Sequence, residues 1–311
     1  MDKLKILFMG TPDFSANILN GLISNYDVVG VVTQPDKEVG RHKEIKFPPV
    51  KEVALKNNIK VYQPVKIKEE YTDLLKLDVD MIVTCAYGQI IPKALLDFPK
   101  YGCINVHASL LPKLRGGAPI HKAIINGYNE TGVTIMYMVE KMDAGDIISQ
   151  VQTKIEEDDN LESLHDRLSI LGTKLLLDTI PNIVSGNIKI VPQDINEVTY
   201  AWNITREEEH IDFNKTSREI FNQIRGLSPV PGSYAILEDN NVKVYNSYIG
   251  NSNKEGKNGE VINIYKDGIG IKTSDGEIVI TEIQFAGKKK MKVIDYLNGI
   301  DKNKLLGKLF K

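Results

Sequence analysis

Along the first half of the chain, short continuous apolar runs alternate with stretches in which apolar residues recur every third or fourth position. KILFM (residues 5–9) is such a run and stops at Gly10. The next stretch, from Pro12 or Asp13, carries Phe14, Ile18, Leu19 and Leu22 at helical spacing, which predicts strand, turn and helix. YDVVGVVT (26–33), KVYQP (60–64), VDMIVTCAYG (79–88) and CINVH (103–107) repeat the strand pattern. The intervals between them hold Val53, Ala54 and Leu55, then Leu74 and Leu75, then Ala94, Leu95 and Leu96. Apolar strands alternating with helices predict the α/β class, here a doubly wound, Rossmann-like parallel sheet. TGVTIMYMVEKMDAGDII (131–148) reads as an alternating strand that breaks at Asp143-Ala144-Gly145-Asp146. Residues 160–186 place Leu161, Leu164, Leu168, Leu171, Leu175 and Ile180 at three- and four-residue spacing. That pattern predicts a long amphipathic helix, capped by Asp159 or Asn160, which closes the first domain and is kinked or broken near its end by Pro181.

Periodicity is poor from residue 191 to residue 213, and a domain boundary is expected around Thr205. A short helix over residues 217–225 follows, and then NVKVYNSYI, GEVINIY, GIGIKT and EIVITEIQF, separated by Gly, Asn and Asp turns. Several short strands at near-regular spacing predict a small β-barrel of the size of oligonucleotide-binding (OB-like) barrels. The expected organisation is a catalytic domain over 1–189, a linker over 190–205 and a barrel domain over 206–311.

Composition sets the limits. A length of 311 residues favours two domains, and 42% hydrophobic with 26% charged residues is ordinary for a soluble globular chain. A formal net charge of −2 gives no global attraction for nucleic acid, so contacts of that kind must come from local patches. Cys85 and Cys103, both inside apolar runs, are the only cysteines, which excludes a disulfide framework and a four-ligand zinc site. The apolar run near the start is too short for a signal or membrane helix, and a cytoplasmic location is expected.

Candidate chemistry is concentrated in CINVHASLLPKLRGGAPI (103–120), a buried strand that runs into a Pro- and Gly-rich loop. Strand alternation puts Asn105 and His107 on one face at the strand end, where open parallel sheets hold their sites. An amide NH2 suits a developing oxyanion, and an imidazole can donate, accept or carry charge. Spacing alone leaves open a turn-capping Asn and a core His. The first turn, GTPDFS, lacks the G-x-G-x-x-G of dinucleotide sites, which disfavours a nicotinamide dehydrogenase. QPDKEVGRHKEIKFPP (34–49) reads as a long basic loop, either a solvated surface loop or an arm ordered by a phosphate backbone. The lysine-rich tail over 287–311 is either a solvated face or a phosphate contact.

INVHASLLPKLRGGAPI closely resembles the signature of the formyltransferases that use 10-formyltetrahydrofolate. GTPDFS, the DAGD turn, VTYA and IRGLSPVPG extend the likeness over nearly the whole chain, and the long form resembles the branch whose acceptor is initiator methionyl-tRNA. The resemblance implies Asn105, His107 and Asp143 as the catalytic set, and Ser109, Leu110, Leu111 and Pro112 as the turn that packs the folate. It also implies tRNA contact through Arg41, His42, Lys43 and Lys46 and through the C-terminal barrel. 10-Formyltetrahydrofolate would be the formyl donor, with no metal and no membrane, and the chain is expected to act as a monomer. Asn203 departs from the lysine often found there, which puts one detail of tRNA contact in doubt. Two other readings are formyl transfer to a small amine or formyltetrahydrofolate hydrolysis, and a non-catalytic tRNA-binding protein on a dead formyltransferase domain. The basic loop and barrel speak against the first, and the intact Asn, His and Asp against the second.

Overall fold

The computed structural model describes residues 3–40, 43–252 and 254–311. In chain order the first part holds β1 (Lys5–Gly10), α1 (Asp13–Asn25), β2 (Asp27–Val32), β3 (Lys37–Val39), β4 (Glu44–Lys46), α2 (Pro49–Lys56) and β5 (Val61–Tyr62). It continues with β6 (Met81–Cys85), α3 (Lys93–Leu96), β7 (Cys103–His107), α4 (Pro119–Ile125), β8 (Glu130–Tyr137), β9 (Ile147–Lys154) and α5 (Leu161–Ser185). The second part holds α6 (Arg206–Glu209), α7 (Ser217–Leu227), β10 (Ser233–Leu237), β11 (Asn240–Ile249), β12 (Val261–Ile264), β13 (Ile269–Lys272), β14 (Glu277–Phe285), β15 (Met291–Lys292) and α8 (Val293–Asn298).

Two compact units result. The first takes the described parts of 1–119, 130–154 and 165–202; the second takes 120–129, 155–164 and the described parts of 203–311. The two short excursions, 120–129 and 155–164, thus cluster with the second unit although they lie inside the stretch expected as the first domain.

The first unit is a Rossmann-like sheet in the order β5-β2-β1-β6-β7-β8-β9. The pairings among β5, β2, β1, β6 and β7 are parallel. β8 and β9 pair antiparallel, so the sheet is parallel only up to β7. The single strand expected over 131–148 is two strands joined by the loop that carries Asp143. β8 is buried on both faces from Thr131 to Met136, whereas β9 alternates. One face of β7 is covered by α5, where Gly172 lies against Val106 of β7 and Val133 of β8. Alternation then sends Asn105 and His107 to the opposite face.

Other expectations are adjusted by local chemistry. The interval around Leu74 and Leu75 is a 3₁₀ turn, and α3 is a single turn because prolines at 92 and 99 bracket it. α5 runs on past Pro181 to Ser185. The basic loop over 34–49 contains a two-stranded antiparallel hairpin, β3 with β4, whose residues are exposed on both faces. Both thiols are buried, and burial pushes the Cys85 thiol up to about 12, with the hydroxyl of Ser15 opposing the shift. No described helix is long and apolar enough to cross a membrane.

The second unit is an antiparallel sheet in the order β10-β11-β14-β13-β12, with β15 on β14. A core of Ile220, Ile224, Val242, Val244, Ile271, Ile278 and Phe310 fills it. α7 enters this core through a capping box in which Thr216 and Glu219 satisfy each other's backbone N–H. The last residues join the two edges of the sheet: Leu237 bridges Phe310 and Glu260 bridges Leu309. Backbone bonds between Ile236 and Lys311 and from Phe310 N to Gly259 O (2.8 Å) complete the closure, giving a barrel-like domain. The tail expected to be a solvated or phosphate-binding run therefore ends as a structural strap.

Phe310 is 4% exposed and its ring lies 6.3 Å from that of Phe213. Phe310→Ala is expected to cost about 3 to 5 kcal/mol of unfolding free energy, as for other buried Phe truncations. Urea unfolding followed by circular dichroism measures it, and a cost under about 1 kcal/mol would mean that the strap does not hold the barrel together.

Candidate active site

The site is built at the carboxyl end of β7. Thr84 of β6 stands beside Asn105 in the parallel register, and Met136 stands opposite on β8. The Thr84 hydroxyl donates to Asn105 Oδ1 at 2.8 Å, the shorter of its two oxygen contacts. This fixes the amide orientation: the NH2 group points away from Thr84, and no protein acceptor takes it among the described residues. Asn105 is 9% exposed, so its two N–H donors lie in a nearly dry setting where a hydrogen bond to developing charge is strong.

His107 lies two residues on, 6% exposed, with Nε2 3.0 Å from Leu114 O. A carbonyl can only accept, so Nε2 carries the proton. Nδ1 then faces Asp143, whose Oδ1 is 3.8 Å away. The ring has no second free N–H to offer to a substrate oxygen unless Nδ1 is also protonated, and Asp143 would be the counter-ion of that imidazolium. His107 can therefore help to hold an oxyanion only through charge and through Nδ1.

Asp143 reaches this position from the loop between β8 and β9. Its other oxygen, Oδ2, accepts from Gly116 N at 2.7 Å. The backbone of Asp143 has φ +48°, a left-handed conformation that costs an L-residue roughly 1–2 kcal/mol and that Asp tolerates better than most. Gly145 makes the turn possible, since a Cβ there would lie 1.8 Å from Tyr137 O. His107 and Asp143, far apart in sequence, thus meet in the first unit, with Asn105 on the same face of β7 as His107.

Ser109, Leu110, Leu111 and Pro112 form the turn that follows. Ser109 is fully buried and its hydroxyl donates to Lys113 O at 2.6 Å, so it has nothing left to donate to a ligand. Thr134 of β8 organises the turn by donating to Ser109 O (2.7 Å) and accepting from Leu111 N (3.1 Å). Gln150 of β9 donates to both Leu111 O and the Thr134 hydroxyl, each at 2.9 Å. Contact with a ligand from this turn falls to backbone, Leu110 and Pro112, which are less buried.

The rest of the loop is held by the stretch expected as a linker. Leu114 N donates to the Thr199 hydroxyl (2.9 Å), Arg115 N to Thr199 O (2.9 Å), and Ala118 N to Ala201 O (3.0 Å). Gly116 has φ +121°, and a Cβ there would come within 2.6 Å of Ala201 O. Up to Trp202 this stretch is a strap on the first unit rather than a slack tether. Thr84, Thr134, Gln150 and Thr199 were not singled out from sequence. The signal for Thr84 and Thr134 was a polar residue interrupting an apolar strand; the strap, which bonds mostly through backbone, left none.

Of the basic arm, Arg41 and His42 lie outside the described residues. Lys43 and Lys46 are exposed on the hairpin, and Lys43 is 3.3 Å from Glu38. The hairpin root is fastened by Lys51, which donates to Asp36 (2.6 Å) and Gln63 (2.8 Å). The hydrogen bonds from Lys51 and then Gln63 hold the Asp36 carboxyl below its usual range. Among the described residues no cluster of His, Cys, Asp and Glu could hold a metal ion.

Comparison with known proteins agrees with this architecture. The formyl transferase family model matches residues 3–180, and that of the formyl transferase C-terminal domain matches residues 203–301. A curated methionyl-tRNA formyltransferase from Staphylococcus aureus (strain MW2) is 54% identical over 307 residues, covering 98% of each chain. Among solved structures, WlaRD, a sugar 3N-formyl transferase crystallised in the presence of dTDP and 5-N-formyl-THF, superposes with a TM-score of 0.67 at 24% identity, covering 93% of this chain and 100% of that one. HypX from Aquifex aeolicus, in complex with tetrahydrofolic acid, gives 0.66 at 18% identity over 95% of this chain, which spans about half (47%) of that protein. The two structures share the fold, and the sequence match carries the relationship: this chain belongs to the formyl transferase family.

Proposed function

We propose that this chain transfers the formyl group of 10-formyltetrahydrofolate to the α-amine of methionine on initiator tRNA, giving formylmethionyl-tRNA for translation initiation. The observation that carries this reading is 54% identity to a methionyl-tRNA formyltransferase over 98% of both chains, barrel unit included. A sugar formyl transferase superposes over 93% of this chain, so the second unit alone does not select the acceptor; the exposed lysines of the basic hairpin favour one with a phosphate backbone. Residues 1–189 serve as the catalytic domain, 190–205 as the connection and 206–311 as the tRNA-binding domain. Arg41, His42, Lys43 and Lys46 act as an arm for the acceptor end. Catalytic groups supplied by one unit of one chain suit a monomer, and the acceptor places the work in the cytoplasm.

The chemistry follows from the groups at the end of β7. A free α-amine titrates at about 7.7–8.0 and the neighbouring ester lowers that, so much of the nucleophile is already neutral at pH 7. Its attack forms the new C–N bond and puts negative charge on the formyl oxygen. The Asn105 NH2, held facing outward by Thr84, donates to that oxygen; one such donor is worth about 2.7–4 kcal/mol. The attacking nitrogen becomes strongly acidic, and Asp143, with His107 beside it, takes the proton. The bond to N10 of the folate then breaks, and N10 receives a proton as the donor leaves. The turn at Ser109, Leu110, Leu111 and Pro112 packs the folate by backbone and apolar contact.

The direct test is formation of formylmethionyl-tRNA from labelled 10-formyltetrahydrofolate and charged initiator tRNA. Asn105→Ala is expected to lower kcat by about 10² to 10³ with folate binding retained. Thr84→Val should follow it with a loss of about tenfold, because the amide is then free to turn. Turnover of Asn105→Ala within about threefold of the parent would remove Asn105 from the oxyanion role.

Neutralising Lys43 and Lys46 together should weaken tRNA use by about tenfold and flatten the salt dependence of tRNA binding by roughly one unit of slope per lysine. Formyl transfer to a small amine should be unchanged. Equal losses with both acceptors would contradict the arm.

A further inference from the structure

We infer that Gln193 and Arg115 form a positioning strut for the Asp143 turn, and that this strut, not the turn itself, sets where the carboxylate sits relative to His107. The inference rests on the reading of Asp143 as the group that takes the proton. Gln193 donates its Nε2 to Asp143 O at 2.9 Å and to Gly145 O at 2.7 Å, spanning the turn. Its Oε1 accepts from Arg115 Nε at 3.0 Å and from Arg115 Nη2 at 2.6 Å. The amide therefore uses both protons and both lone pairs, the full capacity of the side chain.

Arg115 is what makes this a strut rather than an ordinary contact. The residue is only 4% exposed, its guanidinium is always charged, and no carboxylate lies within 4 Å of it among the described residues. A buried cation whose nearest partner is a neutral amide polarises that amide. Pulling electron density toward Oε1 makes the Nε2 protons better donors, a cooperative gain of about 10–30% per bond. Those stronger bonds fall on the two carbonyls that flank Ala144, where the backbone of Asp143 is held at φ +48°.

The same arginine is also continuous with the carboxylate's other anchor. Arg115 N and O pair with Thr199 and Ala201 of the strap, and the next residue, Gly116, donates its N–H to Asp143 Oδ2. Gln193 thus holds the Asp143 backbone, Gly116 holds one oxygen, and the remaining oxygen is left 3.8 Å from His107 Nδ1. Loosening Gln193 frees the turn to rotate and changes that gap, while leaving Asn105 and the folate turn untouched.

Gln193→Glu separates this role from plain stability. The substitution keeps and strengthens the pairing with Arg115 but sets a carboxylate oxygen against the two turn carbonyls, where donors are required. With charged initiator tRNA as acceptor, kcat is expected to fall by about tenfold or more while KM for folate and for tRNA stays within about threefold and the melting temperature stays within about 2 °C of the parent. Arg115→Lys, which keeps the charge and loses the planar fork, should show a smaller loss of kcat, again without a KM change. An unchanged kcat in Gln193→Glu overturns the strut, as does a loss that tracks a fall in melting temperature. If Gln193→Glu does not fold, Arg115→Lys decides alone, and a wild-type kcat there overturns it. Parent enzyme inactive with this acceptor would instead refute the proposed function, so the two failures are distinguishable.

Discussion

The site depends on one constraint: the chain must leave β7 with two side chains on the same face while the loop beyond satisfies nearly all of its own backbone, taking from them only the bond of His107 Nε2 to Leu114 O. The structure meets it by bracing residues 109–118 from other segments. Thr134 and Gln150 hold the Ser109–Leu111 turn, and Thr199 and Ala201 hold Leu114 to Ala118. Two residues stand in left-handed conformations as a result, Leu114 at φ +61° and Asp143 at φ +48°. Each costs roughly 1–2 kcal/mol, and the net worth of a typical hydrogen bond, about 0.5–1.5 kcal/mol, is enough to offset that only because several bonds converge on each.

This bracing explains why the mixed sheet matters to the chemistry. A parallel strand after β7 would need a crossover of a dozen or more residues before it could lie beside β7. The antiparallel β8 instead lies directly against β7, with Thr134 opposite His107, and its far end leads into the loop that brings Asp143 back. The strap performs the same service from further along the chain. The second unit solves a separate problem, closing its sheet with its last residues, and the hairpin adds exposed lysines on a root fixed by Lys51, Asp36 and Gln63.

Much of this was legible in the residues. Period-two alternation alone placed Asn105 and His107 on one face, and the apolar runs located β1, β2, β6 and β7, because burial of a strand leaves a direct trace in its side chains. Asp143 was legible only through family likeness: a D-x-G-D turn is common, and what distinguishes this one is a partner at Gly116, far away in sequence. The antiparallel direction of β8 left no trace because burial on both faces looks the same in either direction. The hairpin was hidden because neither face is buried, and the strap because backbone bonds do not select side chains. Thr84 did leave a mark, a hydroxyl in an apolar strand, but that mark is shared with many satisfied core threonines.

The central claim is that a carboxylate held by backbone, set beside an imidazole whose other nitrogen is committed to Leu114, receives the amine proton as the formyl group moves. Single-turnover formyl transfer by Asp143→Asn, with enzyme in excess over charged initiator tRNA, isolates that step from substrate binding and product release. The account predicts a rate lower by about 10² or more, with unchanged circular dichroism and tRNA affinity, since the amide still accepts from Gly116 but cannot take a proton. A single-turnover rate within about threefold of the parent would contradict it.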